Sequence, residues 1–391
     1  MNDGLIYFDH SATTPVDPRV EEAMKPFHNE EFANPSSPYK IATRVARARE
    51  KARASVAKLL GCDPGEIIFT GCGTEADNLA IKGVGFALQD KGNHIITSQI
   101  EHHAVLESCE WMETQGFDVT YLNVDETGRV SPEKVKNAIR DDTILITIMH
   151  ANNEVGTIQP IAEIGQLVAD EDLYFHTDAV QTFGKIPFDV DQLGVDLLSL
   201  SAHKIYGPKG VGALYQRKGT KLEALLHGGH HENDRRAGTE NMAGIIGLGT
   251  AADIAREKLS ESINDQTAKL RDQLEAELLD KIDAVKVNGS RDHRLPGLLN
   301  LSFRYIEGES ILLQLDAHDI AVSSGSACTS GTLDPSHVLL AMGIPAELAH
   351  GSLRFSLGRE NTENEIQKAV EVLPGIVQNL RKMSPLYSEK S

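Results

Sequence analysis

A lysine that could form a Schiff base follows a buried stretch near the middle of the sequence. Residues 195–200 are an apolar run typical of a short buried strand, and Ser201, His203 and Lys204 come directly after it. A glycine-rich turn, residues 207–212, follows at once. Desolvation at such a strand end lowers the pKa of a lysine and frees its amine for a Schiff base. An isolated lysine is more often a solvated surface charge. The assignment of Lys204 as a Schiff-base lysine therefore depends on the residues that surround it in the fold.

The elements around this lysine alternate between strand and helix from residue 66 onward. That pattern predicts a mostly parallel sheet. Its strands are expected over residues 66–70, 94–97, 118–122, 143–149, 174–177 and 195–200, with an edge strand over 211–215. In open α/β sheets, ligands bind beyond the carboxyl ends of the strands. Polar residues gather at those ends: Thr74, His102, Asn153, Asp178, Gln181, His203 and Lys204. The sequence therefore predicts a single site there.

A turn that could bind phosphate is the second chemical feature. Residues 71–75, Gly-Cys-Gly-Thr-Glu, stand between a strand and a helix, where backbone N–H groups and the Thr74 hydroxyl could bind a phosphate. An ordinary helix cap explains the same residues equally well. Ser201 and His203 could hold that phosphate beside the lysine, and Thr239 could add another hydroxyl.

A lysine, a phosphate site and a carboxylate at a neighbouring strand end together meet the needs of pyridoxal 5'-phosphate (PLP). The lysine would hold the cofactor, and the carboxylate would keep the pyridine nitrogen protonated so that the ring withdraws electrons. Asp178 suits that role, Gln181 could bind the phenolic oxygen, and His102 could stack on the ring. A lone aspartate is more often a strand-end cap and a lone histidine more often structural, and these alternatives stay open.

Motifs along almost the whole chain carry a resemblance to a known family. They are YFDHSATTP, NPSS, FTGCGTEADNLAI, EHHAVL, ANNEVGTIQPI, FHTDAVQTFGK, LSLSAHKIYGPKGVGALY, RRAGTEN, SSGSACTS and SLRFSLGRENT. In number, order and spacing they resemble the cysteine desulfurases of the NifS/IscS type, sulfurtransferases within the class V aminotransferases. The resemblance implies an α/β fold, that of the PLP-dependent transferases of fold type I. It implies a large PLP-binding domain, residues 16–255, with a mostly parallel seven-stranded sheet flanked by helices. A smaller α+β domain, residues 1–15 and 256–391, would carry the catalytic cysteine.

The resemblance also implies a set of cofactor contacts. They are Gly73, Thr74, His102, Asn153, Asp178, Gln181, Ser201, His203, Lys204 and Thr239. Lys204 would be the cofactor lysine and a catalytic residue, and His102 would stack on the ring and also carry protons. Thr239 would reach the phosphate from the other subunit of a homodimer. For the substrate, Arg354 would pair with the carboxylate, as suits the guanidinium fork, with Asn153 and Asn34 nearby.

Cys328 lies in a stretch, residues 323–331, that is small and polar throughout. A buried structural cysteine would need apolar neighbours, so the composition predicts a reactive, exposed thiol on a mobile loop. The resemblance makes Cys328 the nucleophile that takes sulfur from L-cysteine as a persulfide and leaves L-alanine. No resident metal is expected, although Cys328 could ligate an iron–sulfur cluster transiently. Packing roles are expected for Cys62, Cys72 and Cys109, with the reactivity of Cys72 left open.

Composition restricts the partners and the compartment. A net charge of -19 argues against nucleic acid and anionic membranes. No apolar run approaches the roughly 20 residues of a membrane span, and the N-terminus lacks the pattern of a secretory signal. Four cysteines without a CxxC pair predict a reducing, cytoplasmic setting. The expected protein partner is a sulfur acceptor, such as an iron–sulfur scaffold or a tRNA-thiolation protein.

Two alternatives to a desulfurase remain. A selenocysteine lyase or a cysteine/cystine lyase would use Lys204 and Arg354 in the same way, but β-elimination has no need of Cys328. A non-catalytic scaffold that only docks sulfur acceptors belongs to a different class. The presence of Lys204, Asp178 and Cys328 argues against that scaffold.

Overall fold

The computed structural model describes residues 4–261, 263–324 and 334–387. Its strands are β1 (Ile6–Tyr7), β2 (Ile67–Thr70), β3 (His94–Ser98), β4 (Asp118–Leu122), β5 (Thr143–Thr147), β6 (Tyr174–Asp178), β7 (Leu197–Ser201), β8 (Gly212–Gln216), β9 (Val285–Asn288), β10 (Leu298–Phe303), β11 (Ile320–Ala321), β12 (Ser323–Ser324) and β13 (Ser352–Ser356). Its α-helices are α1 (Pro18–Met24), α2 (Pro26–Asn29), α3 (Lys40–Leu60), α4 (Gly73–Leu88), α5 (His103–Thr114), α6 (Pro132–Ala138), α7 (Ile161–Val168), α8 (Val190–Leu193), α9 (Met242–Ser260), α10 (Ile263–Lys281), α11 (Gly308–Asp316), α12 (His337–Ala341), α13 (Ala346–His350) and α14 (Glu363–Met383).

Seven strands form the central sheet, in the order β2-β8-β7-β6-β5-β3-β4. The pairs from β7 to β4 are parallel, and β8 is antiparallel to both of its neighbours. The predicted α/β fold with a mostly parallel seven-stranded sheet is therefore confirmed. The prediction of an edge strand over residues 211–215 is wrong, because β2 pairs with the outer side of β8 and encloses it within the sheet.

Helices cover both faces of this sheet, so its inner strands are buried along almost their whole length. Side chains on one face, such as Leu145 and Leu197, pack with α4 and α5. Side chains on the other face, such as Leu198 and Leu200, pack with α3, α7 and α9. Because side chains alternate along a strand, His176, Asp178 and Ser199 face α4. The start of α4 therefore lies over the ends of β6 and β7.

The C-terminal part builds a second sheet, β12-β13-β10-β9, with antiparallel pairing throughout. Its core includes Phe303 and Phe355 and packs with α10, α11 and α14. A capping box opens α14, since Thr362 and Glu365 bond reciprocally. The N-terminal strand β1 pairs with β11, which brings residues 9–14 alongside both sheets. The predicted domain boundary at residue 255 falls inside α9, and the division stays a prediction.

Over the described ranges, no helix has both the length and the apolar character needed to cross a bilayer.

Candidate active site

A cavity of about 400 Å³ opens at the carboxyl ends of the central strands, where α4 begins. Ten of the predicted site residues line it: Gly73, Thr74, His102, Asn153, Asp178, Gln181, Ser201, His203, Lys204 and Arg354. Nine of them belong to segments 73–204, and Arg354 comes from β13 of the other sheet. The cavity therefore collects polar groups that are far apart in sequence, as predicted from the strand ends.

Lys204 lies one turn beyond β7, in a short 3-10 helix. Its Nζ donates hydrogen bonds to the carbonyl oxygens of Ser11, at 2.5 Å, and Ala12, at 2.9 Å. Thr14 holds the same turn, because its backbone N–H and its hydroxyl both donate to the carbonyl oxygen of His203. The N-terminal segment therefore fixes the direction in which the lysine amine points.

Asp178 ends β6 and is 6% exposed. Burial raises the pKa of its carboxyl to about 6, against the opposing effects of the Val180 backbone N–H and the charge of Lys204. That N–H donates to Oδ1 over 2.8 Å. Near pH 7 the carboxyl is therefore mostly ionised and buried, as a partner for a protonated ring nitrogen must be.

A second carboxyl, Asp77 on α4, lines the cavity beside Asp178. Burial and the negative charge of Asp178 raise its pKa well above the usual range. Its Oδ1 is buried without a hydrogen-bond partner and lies 3.7 Å from Nε2 of His176. Two buried carboxylates do not ionise together in such surroundings, so the proton belongs to Asp77 and the charge to Asp178, which faces a cation and an N–H.

His102 and His203 are both uncharged near neutral pH. Burial lowers each pKa to about 4, and the positive charge of Lys204 adds to the effect. His102 caps α5, where its Nδ1 accepts from the Ala104 N–H at 3.1 Å, so its remaining hydrogen is on Nε2. Nδ1 of His203 lies 3.1 Å from the Thr13 hydroxyl. In each ring, Nδ1 is hydrogen-bonded within the protein and Nε2 remains for a hydrogen bond to a ligand.

The features of a phosphate site occur together at the start of α4. The first N–H groups of a helix have no partner inside it and attract anions. A Cβ atom at Gly73 would come within 2.8 Å of Val180, so only glycine fits this wall without movement. Ser201 Oγ is buried without a partner and faces the same cavity. These donors fit a phosphate group. Residues 71–75 were expected to precede the helix, but α4 already begins at Gly73.

Arg354 lines the same cavity as Lys204 and is 3% exposed. Its guanidinium donates to Asp9 Oδ1 at 2.8 Å and to the carbonyl oxygen of Asn153 at 3.0 Å. Its Nε is buried without a partner. The residue therefore presents a fixed, incompletely bonded guanidinium to the cavity, which suits recognition of a carboxylate.

Three predicted residues do not line this cavity. Asn34 is exposed, and its side chain caps its own loop by accepting from the Ser36 N–H at 2.9 Å. Thr239 lines a separate pocket with Gly71 and Arg236. Cys328 lies outside the described residues. The roles of all three stay predictions.

Sequence reasoning missed several residues of the site. Asp9, Ser11 and Ala12 line the cavity, although the sequence showed these residues only as part of the motif YFDHSATTP. Asp77 was hidden inside the apolar pattern of a helix. Carbonyl oxygens leave no signal in a sequence, but a charged residue on the buried face of a helix does.

The other cysteines differ in environment. Cys109 is buried and Cys62 is half-buried, and burial raises the pKa of both thiols, that of Cys62 to about 12. Cys72 is exposed, and its Sγ accepts from the Glu75 N–H at 3.4 Å as the cap of α4. In the described part of the chain, no group of three or more His, Cys, Asp or Glu side chains could hold a metal ion.

Comparisons with known proteins give consistent results. A sequence model described as aminotransferase class-V matches residues 6–369. The cysteine desulfurase IscS of Dictyoglomus turgidum is 55% identical over 384 residues, which cover 98% of this chain and 97% of that protein. The solved structure of a NifS-like protein has a TM-score of 0.90 at 40% identity and covers 96% of this chain and 100% of its own. SspA in complex with cysteine has a TM-score of 0.81 at 41% identity, covering 91% and 100%.

The fold and the cavity define a PLP-dependent enzyme of fold type I. The chain belongs to the aminotransferase class-V family and, within it, to the cysteine desulfurases of the NifS/IscS type. The resemblance inferred from the motifs is confirmed, and so is PLP as the cofactor.

Proposed function

We propose that this chain converts L-cysteine to L-alanine and leaves the sulfur on Cys328 as a persulfide. The observation that carries the proposal is a single cavity holding Lys204, a buried carboxylate, a phosphate-type helix start and a guanidinium with an open Nε. The 55% identity to an IscS cysteine desulfurase over almost the whole chain supports it. SspA, a structural neighbour, binds cysteine in its solved complex.

The residues present fit PLP. Gly73, Thr74, Ser201 and His203 would hold the phosphate, and Asp178 would pair with the ring nitrogen. When bound to Lys204, PLP supplies an electron-withdrawing ring that stabilises negative charge at the Cα of an amino acid. Gln181 and Asn153 would contact the phenolic oxygen and the substrate region.

Lys204 and Arg354 would divide the handling of the substrate. Arg354 holds the α-carboxylate and so directs the Cα–H bond and the side chain of cysteine. Lys204, once its amine is free, accepts the Cα proton at Nζ. His102, which lines the same cavity, would stack on the cofactor ring and carry protons. The carbonyls of Ser11 and Ala12 hold the amine in position between these steps.

Sulfur transfer would then occur at the substrate sulfur. The Cys328 thiolate attacks that sulfur, a new S–S bond forms, and the Cβ–S bond breaks. The electron pair of the broken bond stays with Cβ, which takes up a proton and becomes the methyl group of alanine. The sum is L-cysteine plus one thiol giving L-alanine plus one persulfide, with no external oxidant or reductant.

The partners of this reaction are also proposals. Thr239 lies in a pocket apart from Lys204 of its own chain, which supports a homodimer in which it serves the other subunit. The persulfide sulfur would be delivered to an iron–sulfur scaffold or a tRNA-thiolation protein. This agrees with the name of the Dictyoglomus turgidum relative of this chain, cysteine desulfurase IscS. A cytoplasmic location agrees with the cysteine usage.

Mass spectrometry of the PLP-loaded protein after treatment with L-cysteine tests the function. We expect one additional sulfur atom on the peptide that contains Cys328 and alanine formed in equal amount in the first turnover. Protein incubated without cysteine is the control. Pyruvate and free sulfide in place of alanine and persulfide would instead identify a β-eliminating lyase.

Arg354→Lys is expected to raise KM for L-cysteine by about 10- to 100-fold, because lysine cannot replace the guanidinium fork. Loss of one charge-assisted hydrogen bond costs roughly 1.5–3 kcal/mol. The kcat should fall less than KM rises, and steady-state alanine formation measures both. Arg44→Lys, at an exposed residue paired with Glu31, is the control and should change neither constant. An unchanged KM in Arg354→Lys contradicts the proposed carboxylate contact.

A further inference from the structure

Thr239 belongs to a segment, residues 232–240, that three ion pairs attach to neighbouring helices. The segment contributes to a pocket of about 150 Å³ apart from the cavity of Lys204. We propose that Arg49, through its ion pair with Glu240, is a positioning residue for Thr239 and so for the phosphate of PLP in a second copy of this chain. The inference rests on the proposed function, in which the chain is a homodimer and Thr239 serves the other subunit.

The backbone of segment 232–240 begins in an uncommon conformation. Glu232, Asn233 and Asp234 have φ angles of 50°, 56° and 65° in succession. Residues other than glycine rarely adopt this left-handed region, and such strain persists only where the surrounding structure holds it. The contacts from other elements therefore decide the course of the segment.

Helix α3 supplies the contacts at both ends of the segment. Arg53 donates to the two carboxylate oxygens of Glu232, at 2.7 and 2.8 Å, and both side chains are buried. Arg49, one turn earlier, donates to Oε1 of Glu240 and to the neighbouring Glu50. Residues four apart lie on one face of a helix, so a single face of α3 holds residues 232 and 240.

The middle of the segment is attached to the start of α4. Arg236 donates to both carboxylate oxygens of Glu75, at 2.7 and 3.1 Å, and Glu75 also accepts from the Gly71 N–H at 2.7 Å. Inside the segment's own turn, the Gly238 N–H donates to Nδ1 of His231 at 3.3 Å. These contacts leave Thr239 between two fixed points.

The ion pair of Glu240 is the one nearest to Thr239, which it follows directly. The Glu240 side chain is 4% exposed, and its Oε2 is buried without a hydrogen-bond partner. A buried carboxylate that loses its cation is strongly destabilised, so without Arg49 the side chain of Glu240 would move toward water. Thr239 is exposed, and packing does little to hold it. Its hydroxyl would therefore move with Glu240.

The test compares PLP with pyridoxal, which has the same ring and aldehyde but no phosphate. Arg49→Met should weaken binding of PLP to the full-length, cofactor-depleted protein by about 10-fold, because a hydrogen bond to a charged group is lost. Binding of pyridoxal should not change. Arg49→Lys keeps a cation for Glu240 and should bind PLP within about threefold of wild type. Arg44→Met, on the same helix but paired with Glu31, is the matched control and should change neither affinity.

A mixed dimer shows on which subunit Arg49 acts. One Arg49→Met subunit combined with one Lys204→Ala subunit leaves a single Lys204, in the chain that lacks Arg49. Borohydride should trap PLP on that Lys204 at the concentrations that suffice for wild type, because the other chain supplies Thr239 with an intact Arg49. Binding as weak as in the Arg49→Met homodimer overturns the proposal.

Thr239→Ala sets the largest effect that Arg49 can have. Adding Arg49→Met to it should weaken PLP binding no further, since both changes act through one hydroxyl. Equal losses for PLP and pyridoxal, or additive losses in the double variant, overturn the proposal and identify a merely structural ion pair. Glu240→Gln, a neutral variant of similar shape, should repeat the phosphate-specific loss if Arg49→Met does not fold.

The wild-type protein separates this inference from the function on which it rests. Wild-type protein that takes up no PLP overturns both, and a monomer that binds PLP overturns the homodimer together with the role of Arg49. A PLP-binding dimer in which Arg49→Met and Glu240→Gln leave PLP affinity unchanged contradicts the role of Arg49 alone.

Discussion

Lys204→Ala is expected to abolish covalent attachment of PLP and to lower the rate of alanine formation by about 10²–10⁴-fold or more. Removal of a positioned general base alone costs a factor in that range, and the loss of attachment adds to it. The amine of Lys204 is held at the cavity by two carbonyl oxygens, of Ser11 and Ala12, at 2.5 and 2.9 Å. Alanine leaves both oxygens without this donor and provides no nucleophile.

Borohydride reduction followed by mass spectrometry measures the attachment directly. Wild-type protein should gain the mass of the reduced cofactor on the peptide that contains Lys204, and Lys204→Ala should gain none. Lys209→Ala, at an exposed lysine in the same glycine-rich turn, is the control and should behave as wild type. Cofactor trapped on another peptide of Lys204→Ala would show that the anchor is misassigned.

The strand ends allowed most of this site to be predicted from the sequence. The alternation of strands and helices determines that the sheet is largely parallel, and the ends of parallel strands meet at one edge. Asp178 at the end of β6 and Lys204 beyond β7 therefore had to lie close together. Neither their hydrogen bonds nor their charges were needed for that conclusion.

Long-range pairing was not predictable in this way. The short turn after β7 indicates that β8 pairs with β7, but the pairing of β2 with the other side of β8 joins Ile67 to Tyr215. Periodicity describes which face of a strand is buried. It contains no information on which strand pairs with the other edge of that strand. The position of Arg354 is a similar case, because it depends on the antiparallel register of β13 with Asn300 and Ser323.

A buried ionisable group was the other omission. Asp77 lies in a segment whose pattern is dominated by its apolar neighbours, and it is placed by the packing of α4. The shift of its pKa arises from desolvation and from the charge of Asp178, which it meets only in the folded chain. The sequence could identify Asp77 as unusual, but it could not identify the group on which it acts.

Cys328→Ser is expected to keep the visible absorbance of PLP and to lose persulfide formation, with alanine formation reduced by about 10²–10⁴-fold. The hydroxyl of serine is not ionised near neutral pH, so it cannot replace a thiolate as the nucleophile toward sulfur. Ser323, five residues before Cys328 in the sequence, lines the cavity and pairs with Arg354, which supports this role.

Cys72→Ser is the matched control, because Cys72 is exposed and lines the same cavity. It should retain persulfide formation on Cys328, and serine keeps a capping oxygen for α4. Persulfide found on Cys72 of the Cys328→Ser protein would instead identify Cys72, at the start of α4, as the nucleophile.

A comparison of two substrates separates the desulfurase from the lyases. With L-cysteine, Cys328→Ser should form no persulfide and should show the same large loss of alanine formation, because the sulfur has no thiolate to accept it. With L-selenocysteine, a β-eliminating or selenocysteine lyase would retain its activity without Cys328, since elimination needs only Lys204 and Arg354. Undiminished turnover of L-cysteine by Cys328→Ser would contradict the assigned nucleophile while leaving the PLP site intact. The thiol and the cofactor lysine are thus tested independently, as expected for groups that act on different atoms of the same substrate.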